Sequence, residues 1–185
     1  VERTPAMGRQ TELVFVEGHS TDGTLEALHE VQRTRRDRDI KVLAQEGAGK
    51  GDAVHQGMRA ATGDILIILD ADLSVDPEAL PRFVDALAGG SCEFALGSRL
   101  VYPMPAQAMQ PLNMIANMLF GRVFSFMLGH QVKDALCGTK ALWKRDYDRI
   151  LDQRRDLGYL DPFGDFEFIL GAAKLSLKIR EIPVQ

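Results

Sequence analysis

The chain has few cysteines, no long uncharged apolar run and no excess of basic residues. Its two cysteines, Cys92 and Cys137, are far apart and outside any Cys-x-x-Cys pattern, which argues against a disulfide framework or a zinc site. No apolar run reaches the roughly 18 residues of a spanning helix, and the N-terminus lacks the apolar core of a signal peptide. With 22 basic against 26 acidic residues, the formal charge of −4 argues against nucleic acid as a partner. We therefore expect a cytoplasmic protein, soluble or peripheral at the inner face of the membrane.

Short apolar runs alternate with segments of helical period along the 185 residues. This alternation is typical of β-α units that build a mainly parallel sheet, and the length suits one domain over residues 1–185. The predicted strands are 13–16, 40–44, 65–69, 94–96, 136–142 and 178–184. The predicted helices are 25–31, 53–61, 77–87, 112–128 and 166–174. The sequence therefore predicts an α/β fold.

The segment Ile65–Leu69 is unbroken aliphatic, so we expect a central strand that is covered on both faces. It delivers two carboxylates, Asp70 and Asp72, at the edge where open α/β sheets bind ligands. In an extended chain, residues two apart point to the same side, so both carboxylates can address one hard cation such as Mg²⁺ or Mn²⁺. Such a cation can stabilise the negative charge that develops on a nucleotide diphosphate when its bond to a sugar breaks. The alternative is that both acids only end the strand and cap the next turn.

Polar turns follow the first two predicted strands. Glu17 and Ser20 lie in the first turn, where Glu17 can accept hydrogen bonds from a ribose or a nucleobase and Ser20 can alternatively cap the next helix. Lys50 lies in the second turn between Gly49 and Gly51, where missing side chains permit close backbone approach beside a positive charge. This loop is not a Walker A loop, because Gly51 rather than Ser or Thr follows Lys50.

Several segments, taken in order, resemble the large family 2 of inverting glycosyltransferases. That family has the glycosyltransferase A-type fold, a Rossmann-like sheet flanked by helices, and includes dolichyl-phosphate mannose synthase. Its pattern is a DGSxDGT turn, a GKGxA loop, GDxxxxxDADL, GSR and a late EIP strand. The corresponding segments here are EGHSTDGT, GAGKGDAV, GDILIILDADLS, LGSRL and EIPV. The match extends over nearly the whole chain.

The resemblance implies an inverting hexosyltransferase that takes a sugar from a UDP- or GDP-linked donor, with Mg²⁺ or Mn²⁺ as cofactor. The acceptor would be a polyprenyl phosphate or a saccharide, in polysaccharide or glycolipid biosynthesis. Asp70 and Asp72 take the places of the metal and diphosphate ligands. The implied donor-binding residues are Glu17, Ser20, Lys50, Asp70, Ala71, Asp72 and Arg99. For Arg99, a phosphate contact and a surface ion pair both stay open.

Asp165 stands where many members of the family carry the acid that deprotonates the acceptor hydroxyl. A base opposite the leaving group explains inversion by in-line displacement. The alternative is an N-cap of the helix that starts near Phe166, with Glu167 complementing the helix dipole. A lipid-phosphate acceptor is already an anion, and Asp165 would then only orient it.

The chain departs from the family pattern in three places. Glu17–His19 reads Glu-Gly-His instead of Asp-Asp-Gly, and Ser74 replaces the Gln that the mannose synthases carry near the metal. Nothing before Leu13 supplies the family's first strand, which lies mid-sheet and whose loss would expose unpaired backbone groups. We therefore expect the natural protein to begin earlier, with Val1–Met7 as the remnant of its first helix, and to continue beyond Gln185.

The predicted helix Leu112–Leu128 is apolar on more than one face. It can be buried in the core, or it can meet a lipid acceptor, a membrane surface or a second subunit of a homo-oligomer. Asp134 and Lys140 follow it, flanking Cys137–Thr139 in a stretch that lines the acceptor side in relatives. A structural ion pair between the two would give the same pattern.

Two other functions fit part of the pattern. An aliphatic strand ending in Asp-x-Asp also opens the haloacid-dehalogenase phosphatases, whose first Asp, here Asp70, is the nucleophile. That class carries the strand near the N-terminus and an acidic pair on a later strand, and the sequence has neither. A non-catalytic nucleotide-sugar sensor would use the same donor residues, with Asp165 serving only as a helix cap.

Overall fold

The computed structural model describes residues 1–99, 121, 125, 134, 136–157 and 165–184 of the chain. Within this part the strands are β1 (Glu12–Glu17), β2 (Asp39–Ala44), β3 (Ile65–Ile68), β4 (Phe94–Ser98), β5 (Lys140–Trp143) and β6 (Ile179–Pro183). The helices are α1 (Thr24–Thr34), α2 (Lys50–Ala60), α3 (Leu80–Ala88), α4 (Lys144–Leu157) and α5 (Asp165–Lys174). A short 3-10 turn, Pro77–Ala79, leads into α3. The predicted α/β character is confirmed.

The first two strands form a small parallel sheet. β1 and β2 are paired in register over all six residues of each strand, with α1 as the connection between them. α2 packs against β1, and a Cβ on Gly57 would lie only 3.2 Å from a methyl carbon of Val16. The absence of a side chain at Gly57 therefore lets this helix approach the strand closely.

The other strands form a four-stranded sheet in the order β3-β5-β4-β6. β5 runs antiparallel to both of its neighbours, whereas β4 and β6 are parallel, so three of the four strands share one direction. The expected central position of β3 is wrong for this sheet, because β5 inserts between β3 and β4 and leaves β3 at the end of the order. Both faces of β3 are nevertheless covered, with Leu66 and Ile68 buried on one side and Ile65 and Ile67 packed on the other.

Helices cover both faces of the four-stranded sheet, and a separate hydrophobic cluster fills each layer. The alternation along β4 shows this division: Phe94 and Leu96 belong to one cluster, and Ala95 belongs to the other. The first cluster includes residues of α2, α4 and α5, such as Met58, Tyr147, Ile150, Phe168 and Ile169. The second includes residues of the 3-10 turn and α3, such as Ala79, Phe83, Ala86 and Leu87. Both cysteines are free and lie buried in this second layer.

Several predicted boundaries shift in the structure. The strand expected over Leu136–Leu142 is β5, Lys140–Trp143, because Cys137–Thr139 forms a loop instead of extending the strand. α4 has no counterpart in the sequence-based prediction. The predicted helix Leu112–Leu128 lies outside the described residues, except for Gly121 and Ser125, which are both helical and joined by a hydrogen bond from the Ser125 hydroxyl to the Gly121 carbonyl. Among the residues described, no helix combines the length and apolar character needed to cross a membrane.

The expectation that Val1–Met7 is helical is wrong. This segment forms a turn, in which the Thr4 amide donates to the Val1 carbonyl at 3.3 Å. Arg3 then binds Asp76 at 2.6 Å and Glu78 at 2.8 Å, on and beside the 3-10 turn. The segment is therefore a turn that contacts a distant part of the chain, and not a helix.

Candidate functional site

Lys50 and Asp70, twenty residues apart in sequence, meet at one edge of the structure. The Lys50 Nζ lies 2.9 Å from Asp70 Oδ1 and 3.1 Å from Oδ2. Lys50 is the first residue of α2, and Gly49 before it has φ 83° and ψ 161°, a conformation that essentially only glycine adopts. Both side chains are partly accessible, with 33% of Lys50 and 26% of Asp70 exposed. The site therefore presents a carboxylate already facing a positive charge.

Asp70, Ala71 and Asp72 lie in a turn rather than in a strand. β3 ends at Ile68, and the Leu73 amide donates to the Asp70 carbonyl at 3.1 Å to close the turn. The argument from side-chain alternation in an extended chain is therefore wrong for this pair. Asp72 instead accepts the Ser74 amide at 2.9 Å, and both Ala71 and Asp72 are exposed. The turn presents them to solvent next to the half-buried Asp70.

Glu17 and Ser20 are brought together at the end of β1. The buried Glu17 carboxylate accepts the Ser20 amide at 2.6 Å and the His19 amide at 3.1 Å. Hydrogen bonds from the Ser20 hydroxyl and amide lower the pKa of Glu17 below its usual value. His19 has φ 65°, a left-handed conformation that this hydrogen bonding compensates. Glu17 thus fixes the shape of its own turn, and its contact with a nucleotide stays a prediction.

Gln45 connects the turn after β1 to the glycine-rich loop after β2, a role that the sequence reasoning did not find. Its amide donates to the Glu17 carbonyl at 2.8 Å, and its side-chain Nε2 donates to the Gly49 carbonyl at 2.8 Å. Gln45 is buried, so these bonds are shielded from water. Because β1 and β2 are parallel and in register, their carboxyl ends meet here and bring the loops of Glu17 and Lys50 to one edge.

Arg99 lies at the end of β4 and binds Asp134. Its backbone amide and its Nε each donate to Asp134 Oδ2 at 3.0 Å, and a second guanidinium nitrogen donates to Oδ1 at 3.2 Å. The Asp134 carboxylate is fully buried, whereas a quarter of the Arg99 side chain is exposed. The Asp134 amide donates in turn to Glu181 on β6 at 3.0 Å. Arg99 thus has a structural ion pair with Asp134, in addition to any phosphate contact.

Lys140, the other residue expected near the acceptor, is buried on β5. Its Nζ donates to the Cys137 carbonyl at 2.7 Å, which holds the loop that precedes the strand. Burial raises the pKa of the Cys137 thiol, and the nearby Asp134 carboxylate raises it further. Lys140 thus supports the loop before β5, and Asp134 pairs with Arg99. Their place on the acceptor side stays a prediction.

Asp165 is the first residue of α5, and its side chain lies outside the described part of the structure. Two residues later, Glu167 Oε2 lies 3.3 Å from Nε2 of His55 on α2. His55 is 1% exposed, and its Nδ1 lies 3.2 Å from the Tyr147 hydroxyl on α4. The sequence reasoning missed His55, although a histidine on the inward face of a helix was a visible signal. This buried contact joins the helix of Lys50 to the helix of Asp165.

The sequence that forms this site matches a family of known proteins. The family model described as glycosyl transferase family 2 matches residues 6–151, which include both β-α units, Asp70, Asp72 and Arg99. The chain belongs to glycosyl transferase family 2. The resemblance in the motifs around Glu17, Lys50 and Asp70 is therefore confirmed at the level of the family.

Similar proteins agree with this family assignment. The glycosyltransferase AglJ of Haloferax volcanii is 28% identical over 174 residues, which cover 92% of this chain and 52% of AglJ. A dolichol-phosphate mannosyltransferase of Pyrococcus furiosus is 34% identical over 94 residues, which cover 51% of this chain and 26% of that enzyme. The chain thus spans about half or less of these curated relatives.

A solved structure confirms the glycosyltransferase A-type fold. Glucosyl-3-phosphoglycerate synthase of Mycobacterium tuberculosis, in complex with Mn²⁺, UDP and glucosyl-3-phosphoglycerate, superposes with a TM-score of 0.64 at 18% identity. The alignment covers 94% of this chain and 58% of that one. That residues 1–185 form a single domain stays a prediction.

Proposed function

We propose that this chain is the nucleotide-sugar-binding part of an inverting, metal-dependent glycosyltransferase. The observation that carries the proposal is the Asp70 carboxylate at the end of β3, aligned by the Lys50 ammonium 2.9 Å away, in a member of glycosyl transferase family 2. Asp72 lies exposed in the same turn. The two carboxylates would bind a cation, and the Lys50 ammonium would bind the diphosphate that accompanies it.

The residues present fit a divalent cation. Among the described residues there is no group of three or more His, Cys, Asp or Glu side chains that could hold a metal ion by themselves. Mg²⁺, however, is commonly bound through one or two carboxylates, with substrate phosphates and water as the other ligands. Asp70 and Asp72 would supply the carboxylates, and a nucleoside diphosphate would complete the shell. The solved relative with Mn²⁺ and UDP supports Mg²⁺ or Mn²⁺ here as well.

The donor would be a UDP- or GDP-linked sugar lying across the carboxyl ends of β1 to β3. When bound, the cation would stabilise the charge that develops on the departing nucleoside diphosphate. Lys50 already lies within contact distance of Asp70, so its ammonium would bind the diphosphate beside the cation. Glu17, Ser20 and Ala71 would line the donor, and the Asp134 ion pair would hold Arg99 ready for a phosphate.

Asp165 would face the acceptor. At the first turn of α5 its carboxylate would be stabilised by the helix dipole, and it would take the proton of an acceptor hydroxyl as the sugar is transferred with inversion. The relative that acts on dolichol phosphate supports a polyprenyl phosphate as the acceptor, and a saccharide is the alternative. With a phosphate acceptor, Asp165 would orient rather than deprotonate. The enzyme would be cytoplasmic, and residues 112–128 would contact the membrane surface or a second subunit. Both arrangements are compatible with either acceptor.

Binding of UDP and of GDP to the purified protein, measured by calorimetry with Mn²⁺ and again with EDTA, tests the metal and donor assignments. We expect Mn²⁺-dependent binding of one nucleotide, weakened about tenfold or more in Asp70→Asn and in Asp72→Asn. Asp64→Asn is the matched control, since Asp64 is exposed just before the same strand and should leave affinity unchanged. Equal binding after chelation, or in both amide variants, would refute the proposal.

Transfer of a labelled sugar to polyprenyl phosphate or to an oligosaccharide separates an enzyme from a sensor. Asp165→Asn should abolish transfer to a hydroxyl acceptor while donor affinity stays at the wild-type value. A wild-type protein that binds donor but transfers nothing to either acceptor would instead be a nucleotide-sugar sensor. The phosphatase alternative is not retained, because the family match covers the Asp70 segment itself.

A further inference from the structure

Gly138, in the loop before β5, lies directly against the Asp70 carboxylate. A Cβ on Gly138 would be 1.9 Å from Asp70 Oδ2, 2.7 Å from Cγ and 3.0 Å from Oδ1. Atoms at such separations overlap, so no side chain fits between this backbone and the carboxylate. The φ of Gly138 lies outside the left-handed region, so a side chain here would be opposed by the close approach to Asp70 and not by an unusual backbone conformation.

The loop around Gly138 is held from behind and cannot retreat. Cys137 and Thr139 are each 1% exposed, and the Gly97 amide on β4 donates to the Thr139 carbonyl at 2.8 Å. The Cys137 Sγ packs so closely on Gly97 that a Cβ there would lie 2.6 Å from the sulfur. On the other side, the buried Lys140 donates to the Cys137 carbonyl at 2.7 Å.

The Asp70 side chain, in contrast, can move. It is 26% exposed and follows the end of β3. Lys50 holds it from one side with contacts of 2.9 and 3.1 Å, and Gly138 confines it from the other. A methyl group at position 138 would therefore push the carboxylate out of its present orientation, whereas the loop would stay where it is.

We propose that Gly138 is a positioning residue that fixes the orientation of the Asp70 carboxylate toward the cation and the donor diphosphate. This inference rests on the proposed metal-dependent donor site. It also means that the loop on the expected acceptor side and the donor carboxylate are in direct contact. In this role Gly138 acts through Asp70.

The test compares Gly138→Ala with Gly63→Ala, measuring affinity for UDP and GDP with Mn²⁺ and with EDTA, and the melting temperature in EDTA. A Cβ at Gly63 would lie 3.6 Å from the nearest atom, an ordinary contact, so Gly63→Ala should behave as wild type. Gly138→Ala should lose about tenfold or more of the Mn²⁺-dependent affinity, as expected when the support of a metal ligand is disturbed. Its affinity in EDTA should not change, a selective loss that a general structural defect would not produce.

A double variant tests the route through Asp70. Asp70→Ala removes the carboxylate that the methyl group would strike, so adding Gly138→Ala should cause no further loss of affinity and should restore any stability lost in Gly138→Ala alone. Wild-type affinity in Gly138→Ala, a further loss in the double variant, or an unfolded single variant that Asp70→Ala does not rescue would each overturn the inference. Absence of Mn²⁺-dependent binding in the wild-type protein would instead refute the proposed function on which it rests.

Discussion

The contact between the buried His55 and the partly exposed Glu167 gives a prediction about how α2 and α5 are held together. His55 on α2 places Nε2 3.3 Å from Glu167 Oε2 on α5 and Nδ1 3.2 Å from the Tyr147 hydroxyl. Its ring also packs on Phe168, with the ring centroids 5.3 Å apart. The perturbation is His55→Leu, which keeps a side chain of similar bulk and removes both polar contacts.

The expected decrease in the free energy of unfolding follows from the hydrogen bonds that Glu167 and Tyr147 lose. Glu167 is 19% exposed, so removal of a hydrogen bond to its carboxylate costs about 1.5–3 kcal/mol. Tyr147 loses less, because its hydroxyl lies 3.3 Å from the His55 carbonyl, which the substitution retains. Leucine regains part of the loss through apolar burial, so we expect a net destabilisation of about 2 kcal/mol. For a chain of this length that corresponds to a decrease in melting temperature of about 4–8 °C.

Urea unfolding followed by circular dichroism measures this free energy of unfolding directly. His29→Leu provides the matched control, since His29 is exposed on α1 and the same substitution there should change stability by less than about 0.5 kcal/mol. In a double-mutant cycle with Glu167→Leu, the two losses should fail to add by about 1 kcal/mol or more. A His55→Leu protein as stable as the control, or fully additive losses, would show that the contact contributes nothing.

Three further predictions concern single features of the site. Because hydrogen bonds lower the pKa of Glu17, its charged form stabilises the fold above the ordinary pKa of 4.5, and this contribution is lost as the pH falls through the folded-state pKa. The stability difference between wild type and Glu17→Gln in urea should therefore stay constant down to pH 4.5 and shrink below it, and a difference that stays constant below pH 4.5 would contradict the prediction. Cys92 and Cys137 are each 1% exposed, and burial raises the pKa of both thiols, so a thiol reagent should label them only when the structure opens; fast labelling of native protein would disprove this. Gly49→Ala should destabilise the protein by about 1–3 kcal/mol in urea unfolding and weaken nucleotide binding, because φ is 83° and ψ 161° there; full stability would mean that the loop can adopt another conformation.

Local patterns in the sequence were enough to predict most elements and the residues at their ends. The run before Glu17 and the aliphatic run before Asp70 both form strands, within one residue of the predicted boundaries. These predictions succeed because alternation, aliphatic runs and glycine-rich turns act over a few residues. The α4 helix could have been found by the same means, since Tyr147, Ile150 and Leu151 follow helical spacing on its buried side.

Features that depend on distant residues could not be predicted in this way. The insertion of β5 between β3 and β4 pairs segments that are far apart in sequence, and the local pattern of apolar residues does not indicate such a pairing. Likewise, the contact of Gly138 with Asp70 joins the loop before β5 to the turn after β3, and it depends on the packing of β3, β5 and β4. The turn at Asp70 and Asp72 cannot be told from an extended strand in the sequence, because the aliphatic run does not indicate where strand pairing stops.

One helix, α2, contacts three parts of the candidate site. Its first residue, Lys50, contacts Asp70. One and a half turns later, His55 contacts Glu167 near the start of α5. Gly57 then packs on β1, the strand that ends at Glu17. A helix of eleven residues is stiff, so these three contacts cannot shift independently. The donor loop and the N-terminus of α5, where Asp165 lies, therefore have positions set by the same element. The proposed transfer would need this relation, since the groups proposed to act on the diphosphate and on the acceptor would have to keep a fixed separation.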